Sequence, residues 1–169
     1  DPDWPKENKS PNYIEQKHID VLYNYVKNGG VLVMMANDSN NTEFKNYNKL
    51  AERFGIHWNE NMRHDVIDNK FEQGGLPIEA GHSIFNNVKK VFIKQLCTQT
   101  IDKPAMSVYK ENGEVLMSFA RLGRGTVFAV GDPWFYNEYV DGRKIPAEYE
   151  NYQAAADLVQ WLLAQIPKK

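Results

Sequence analysis

Gly123-Arg124-Gly125-Thr126-Val127-Phe128-Ala129-Val130-Gly131-Asp132-Pro133-Trp134-Phe135-Tyr136-Asn137-Glu138-Tyr139 reads as a tight turn, a buried strand and an abrupt polar and aromatic run. Gly123 and Gly125 permit the positive φ that a two- or three-residue hairpin turn requires. Val127, Phe128, Ala129 and Val130 form a short apolar run, the pattern of a strand covered on both faces. Gly131-Asp132-Pro133 ends it, because proline brings no N–H to a ladder and glycine allows a sharp bend. In open α/β sheets, ligands bind beyond the carboxyl ends of the strands. Asp132, Trp134, Tyr136, Asn137 and Glu138 are therefore candidate ligand-binding residues, of types that suit a sugar or another polyhydroxylated molecule. The same residues also read as a structured loop whose aromatics pack on the domain.

Two helix-to-strand units precede this hairpin. Ile14, His18, Val21, Leu22, Tyr25 and Val26 fall at helical spacing and predict one apolar face. Asn28-Gly29-Gly30 ends that helix, and the apolar run at 31–35 predicts a strand. The polar string Asn37-Asp38-Ser39-Asn40-Asn41 follows, with Asn40 and Glu43 spaced to cap a second helix. Phe44, Tyr47, Leu50, Ala51 and Phe54 are its expected buried stripe. Gly55 stops it, and Ile56-His57-Trp58 reads as a short strand. Residues 59–81 have no period and predict a long irregular excursion; 82–85 predict a turn of helix. Strands are expected at 91–93, 96–101, 105–109 and 115–119, the last two joined by the hairpin signal Asn112-Gly113. Residues 152–166 predict a closing helix with Ala155, Leu158, Val159, Leu162, Leu163 and Ile166 inward, Asn151 as cap and Pro167 as stop.

This order predicts a single α/β domain over residues 1–169, three-layered, with antiparallel strands at the sheet edge. The opening Asp1-Pro2-Asp3-Trp4-Pro5, in a loop-like stretch over 1–12, reads as the exit from a strand outside the chain. The first strand is thus expected to belong to a longer polypeptide.

Bulk properties narrow the function. The 169 residues are 42% hydrophobic and 25% charged, ordinary values for a globular domain. A net charge of −2, with Lys and Arg scattered, lacks the basic footprint of a nucleic-acid binder. No apolar run approaches the roughly 20 residues of a membrane helix, so no membrane insertion is expected. Cys97 is the only cysteine, which excludes an intramolecular disulfide.

Most catalytic signatures are missing. There is no nucleophile elbow, P-loop, dinucleotide fingerprint, cysteine pair or His-x-x-x-His, so no catalytic residue, metal ligand or cofactor is expected. Cys97 sits in a strand-like run and reads as a buried small hydrophobe. His57, His64 and His82 read as structural or solvated, and Asp65 and Asp68 as loop caps. Asn37 and Asp38 remain. If the strands before them and before Asp132 are both central, the two polar clusters open on one rim. Asp38 and Asp132 then face each other as acid and base, or as oxygen ligands for a cation. Arg143 offers a bidentate clamp for the carboxylate of an acidic sugar, or pairs internally with a nearby Asp or Glu.

Several strings carry a resemblance. They are Asp1-Pro2-Asp3, Glu7-Asn8, Pro11-Asn12-Tyr13-Ile14, Gly29-Gly30-Val31-Leu32-Val33, Asn37-Asp38, Leu50-Ala51-Glu52-Arg53-Phe54-Gly55-Ile56, Gly125-Thr126-Val127-Phe128-Ala129-Val130-Gly131-Asp132-Pro133-Trp134 and Tyr136-Asn137-Glu138-Tyr139-Val140-Asp141-Gly142-Arg143. Together they resemble the C-terminal region of certain bacterial unsaturated rhamnogalacturonyl hydrolases, over nearly the whole chain. The resemblance implies a flavodoxin-like domain, similar to class I glutamine amidotransferase-like domains, appended to a catalytic (α/α)-barrel that this sequence does not contain. The chain departs from true amidotransferases in having no elbow cysteine and no Glu-His pair after one, so amidotransferase activity is not implied. What is implied is a non-catalytic accessory domain of a pectin (rhamnogalacturonan)-degrading glycoside hydrolase, periplasmic or extracellular. Its implied partners are the catalytic domain of the same polypeptide and pectic oligosaccharide. Two other readings stand beside it: a free-standing hydrolase using Asp38 and Asp132, and an assembly module that buries the aromatic rim.

Overall fold

The computed structural model describes residues 12–168, so the strand exit expected at the start of the chain lies outside the described residues. Its main sheet has six strands: β1 (Val31–Met35), β2 (Ile56–Trp58), β5 (Gln99–Ile101), β6 (Ala105–Glu111), β7 (Glu114–Leu122) and β8 (Gly125–Val130). Their order is β1-β8-β7-β5-β2, with β6 also paired to β7. Only β1 and β8 run parallel; every other pair is antiparallel. The fold is α/β, but antiparallel pairing dominates it instead of being confined to an edge. Among the described residues β1, expected to be central, pairs with β8 alone and lies at an edge.

Local chemistry explains the hairpins. Asn112 and Gly113 both take positive φ (49° and 84°), as a two-residue turn twisted with its strands requires. Gly123 opens the β7–β8 turn at φ 59°, and a Cβ there would sit 2.3 Å from the Lys27 carbonyl oxygen. Along β8 the side chains alternate between two cores. Val127 and Ala129 join α1 (Gln16–Lys27) and α2 (Phe44–Ala51) on one face. Phe128 and Val130 join α3 (Asn151–Ala164) and the small sheet of β3 (Gly75–Pro77) and β4 (Lys90–Phe92) on the other. β8 is buried throughout, as its unbroken apolar run predicts.

The helices lie where they were expected, but α1 and α3 turn partly different faces inward. On α1, Ile19 and Val26 are buried, while Val21 and Tyr25 are exposed. Tyr23, stacked on Phe54 at 6.1 Å, fixes that rotation. His18 is exposed and accepts the Glu15 N–H instead of facing the core. On α2 the expected stripe is buried, but Glu43, not Asn40, caps the helix by accepting the Asn46 N–H. On α3, Ala154, Ala155 and Leu158 are buried, whereas Val159 and Leu163, and Ile166 just beyond the helix, are exposed. Residues 82–85 form no helix; His82 Nδ1 accepts the N–H groups of Ile84 and Phe85 and closes a bend.

Two asparagines dock helices to strands. Asn48 of α2 donates to the Trp58 carbonyl (3.1 Å) and accepts the Trp58 N–H (2.8 Å). Asn151 does the same with Phe92, at 3.0 and 2.8 Å, instead of capping α3. Each amide stands in for a neighbouring strand and satisfies both groups of one buried residue.

Candidate functional site

The parallel register Met35↔Val130 sends both chain exits off one end of the sheet. The Ala36 N–H donates to the Val130 carbonyl (3.1 Å), carrying the ladder one residue further. Residues 37–41 and 131–139 thus become neighbours although almost 100 residues separate them in sequence.

Each exit is shaped by an aspartate. Asp38 Oδ1 accepts the Asn40 N–H (2.6 Å) and its Oδ2 accepts Asn41 Nδ2 (2.9 Å), while Asn37 Oδ1 accepts the Asp38 N–H (2.8 Å). This is an Asx-type turn that ties Asp38 into its own loop. At the other exit, a Cβ on Gly131 would lie 1.9 Å from the Cys97 carbonyl oxygen, so only glycine lets β8 pass Cys97. Asp132 follows, 8% exposed, and its carboxylate accepts the Trp134 N–H at the start of the 3-10 turn Trp134–Tyr136.

Burial pushes the Asp132 carboxyl up to about 8, and neighbouring Asp38 and Glu138 act in the same direction. The Trp134 N–H and the Lys94 ammonium oppose the shift without cancelling it. Burial also pushes the Cys97 thiol well up, helped by Asp132 and Asp38. Its Sγ points at the Gly131 carbonyl (3.7 Å), so it is a packed, protonated side chain and not a nucleophile.

A cleft of about 350 Å³ opens at this rim, lined by Asn37, Asn41, Lys94, Gln95, Asp132 and Asn137, with Glu138 and Tyr139 closing one side. A second hollow of about 310 Å³ adjoins it through Lys94 and Tyr139 and reaches Phe71 and Lys144. Lys94 Nζ lies 5.2 Å from the Tyr139 ring centre, a cation–π distance.

The structure thus gathers Asn37, Asp132, Asn137 and Glu138 around one opening. Asp38 sits behind it, 3% exposed. Trp134 borders the cleft, but its side chain, expected to offer a ring face to a sugar, is 1% exposed and belongs to the core that holds Phe128, Val130 and Leu158. The aromatic at the opening is Tyr139. Tyr136 is exposed but does not line the cleft. Arg143 donates from Nε to Asp141 (2.6 Å), the internal pairing that the sequence left open beside a substrate clamp.

Sequence reasoning missed Lys94 and Gln95. They arrive from the segment after β4, with Gln95 at φ 51°, and no local pattern announces a residue whose role depends on a distant strand. The other histidines have local partners: His57, exposed on β2, pairs with Glu52 (2.9 Å), His64 bridges Glu111 and the Ile93 carbonyl, and His82 closes its bend. Asp65 and Asp68 are exposed in the excursion.

No protein-family model matches the chain, and no curated protein does. Solved structures share its fold. One described as the mmIFT52 N-terminal domain aligns with 93% of this chain and 74% of its own length, at 19% identity and a TM-score of 0.70. The cytoplasmic protein STM1381 of Salmonella typhimurium LT2 aligns with 91% of this chain and 62% of its own, at 15% identity and a TM-score of 0.62. The exo-beta-1,4-mannosidase Op5Man5 of Opitutaceae bacterium strain TAV5 aligns with 94% of this chain but 24% of its own, at 15% identity and a TM-score of 0.52. The chain therefore spans less than two thirds of the Salmonella protein and about a quarter of the mannosidase. At these identities the likeness is one of fold.

Proposed function

We propose that this chain is a non-catalytic accessory domain of a pectin-degrading glycoside hydrolase, and that its rim cleft binds glycan. The observation that carries the reading is the cleft at the shared exit of β1 and β8. Its wall of amides and carboxylates, with the Tyr139 ring at its mouth, matches the hydroxyls and apolar ring faces of a sugar. Lys94 at the junction of the two hollows, with Lys144 beyond it, offers ammonium groups to the carboxylates of an acidic oligosaccharide. The partner within the same polypeptide is a catalytic (α/α)-barrel. An alignment that takes in nearly all of this chain and a quarter of an exo-mannosidase supports such a domain within a longer glycosidase. The reading takes the domain as flavodoxin-like and three-layered, which the parallel β1–β8 pair and the helices on both faces support.

A self-sufficient hydrolase built on Asp38 and Asp132 fits the bonding less well. Both Asp38 oxygens already accept hydrogen bonds from their own loop, and Asp132 caps the turn after it.

The test is titration of rhamnogalacturonan oligosaccharides against the labelled chain by NMR, with manno-oligosaccharides as the neutral comparison. Saturable shifts of Asn37, Asn137 and Tyr139 are expected at ligand concentrations on the order of millimolar, weakened by Lys94→Ala. No shift at about 10 mM of either glycan would remove the reading.

A further inference from the structure

Lys94 and Gln95 reach the rim cleft on a short corner whose two ends are tied down. The Ile93 N–H donates to the Gly74 carbonyl (2.8 Å), and Leu96 exchanges both backbone bonds with Arg63 (2.9 and 3.2 Å). Gln95 turns the corner at φ 51°. His64 holds this corner twice. Its carbonyl accepts the Gln95 N–H (2.9 Å), and its ring Nδ1 meets the Ile93 carbonyl (3.1 Å). The other ring nitrogen, Nε2, lies 2.6 Å from Glu111 Oε2 at the end of β6. His64 sits at φ 54° with its side chain 10% exposed, so the ring is closed in between its two partners.

These contacts fix a proton count. A carbonyl oxygen only accepts, and so does a carboxylate. Both ring nitrogens must therefore donate, or the carboxyl must bring the hydrogen to Nε2. Either way, the His64–Glu111 pair holds one proton more than a neutral imidazole beside a carboxylate. When that proton leaves, one N–H remains for two acceptors. The shorter, charge-assisted bond to Glu111 keeps it. The Nδ1 lone pair then faces the Ile93 oxygen, and the contact that held the residue before Lys94 is lost.

The surrounding charges leave this pair to itself. Arg63, the preceding residue, donates to both oxygens of Glu114 on β7 (2.7 and 2.6 Å). Asp65 is exposed, and Lys94 follows Ile93 toward the cleft. Tyr109, near Glu111 on β6, has its hydroxyl on the Pro77 carbonyl (3.0 Å).

We propose that His64 is a positioning residue of the rim cleft: with the added proton the His64–Glu111 pair holds Lys94 and Gln95 at the opening, and without it the corner is released and ligand affinity falls. The cleft thus binds more tightly in mildly acidic solution and loosens as pH rises. The identity of the ligand as glycan rests on the proposed function; the clasp itself does not.

Two variants separate the clasp from simple packing. In Glu111→Gln the amide donates to Nε2 while Nδ1–H keeps the Ile93 carbonyl, so a neutral ring satisfies both contacts. Glu111 is one-third exposed at a hairpin end, and circular dichroism checks that this variant keeps its fold. In His64→Asn the side chain is too short to serve both partners, and asparagine tolerates the positive φ. The first experiment uses the labelled chain alone, from about pH 5 to pH 8. By NMR the Lys94 and Gln95 amide shifts are expected to follow the His64 ring titration in the parent and to lose that step in Glu111→Gln. The second adds rhamnogalacturonan oligosaccharides. Across the same range the parent's dissociation constant should rise about three- to tenfold more than that of Glu111→Gln, the worth of one hydrogen bond. Asp132 also lines the cleft, but its titration enters both chains, so their difference reads the clasp. His64→Asn should bind about three- to tenfold more weakly than the parent at the acidic end. Amide shifts that ignore the ring titration, or equal pH dependence in parent and Glu111→Gln, overturn the proposal. Amides that follow the ring with no glycan shift at any pH support the clasp and remove the glycan reading instead.

Discussion

Asp132→Asn is expected to stabilise the fold, by an amount that grows with pH. Burial holds this carboxyl up at about 8 in the folded chain, whereas in the unfolded chain it titrates near 4. Between those values the folded state keeps a proton that the unfolded state has released. Stability is therefore full below about pH 4 and is lost as pH rises, at up to about 1.4 kcal/mol per unit, until the folded carboxyl also ionises. From pH 5 to pH 8 the native side chain costs the fold about 3–4 kcal/mol relative to a neutral one. The amide has no proton to lose, and its oxygen still accepts the Trp134 N–H. The assay is urea unfolding of both proteins at pH 5, 6, 7 and 8. Titrating groups that do not interact with Asp132 contribute alike to both chains and cancel in the difference, leaving Asp132 and its neighbours Asp38, Lys94 and Glu138. The variant should gain on the parent by about 1 kcal/mol per pH unit. Two profiles that stay parallel within about 0.5 kcal/mol across the range would mean that Asp132 ionises as it does in water, and the burial argument would fail.

Two further outcomes follow from the packing. Cys97 is fully buried with its thiol pushed up, so a thiol reagent at pH 8 should label the native chain at least about a hundredfold more slowly than the chain in urea; similar rates would contradict its structural role. Asn151→Ala and Asn48→Ala each strip both partners from one buried strand residue, and each should lower urea stability by about 2–4 kcal/mol; a loss under about 0.5 kcal/mol for either would show that water replaces the amide.

Short-range chemistry was legible in the sequence. The turns at Asn112-Gly113 and Gly123 form where residues that tolerate positive φ were read, whereas Gly125, read for the same reason, does not take positive φ and is needed for its close approach to the Val26 carbonyl. The unbroken apolar run of β8 predicts burial on both faces, and the strand is buried along its length. What periodicity could not supply was rotation. On α1 and α3 the apolar residues cover more than one flank, so the inward face is chosen by neighbours: Phe54 beneath Tyr23, and Phe119 and Phe128 around Trp161. Pairing order failed for a related reason. The contact of β2 with β5, Ile56 against Ile101, joins residues with no local signal between them, and it helps make the sheet mainly antiparallel.

The rim shows why a polar cluster in sequence divides when it folds. Five residues after β8, Asp132, Trp134, Tyr136, Asn137 and Glu138, were candidates by type, but the turn there has two sides. Asp132 is drawn under the chain by the Trp134 N–H, and Trp134 enters the core that Phe128 and Val130 begin. Asn137 and Tyr139 come back to the opening because the Asn137 Oδ1 accepts the Tyr139 N–H (3.0 Å), a local bond any Asn-x-Tyr string can make. Lys94 completes the cleft from a different segment, since the backbone of Cys97 is pinned to Gly131 and brings its preceding residues alongside. The single glycine at 131, with no room for a Cβ beside Cys97, thus sets two things at once. It lets β8 leave the sheet, and it holds the lysine-bearing segment against the aspartate that follows. A cleft of this kind depends on one close backbone approach, and a residue-type survey of the loop cannot see it.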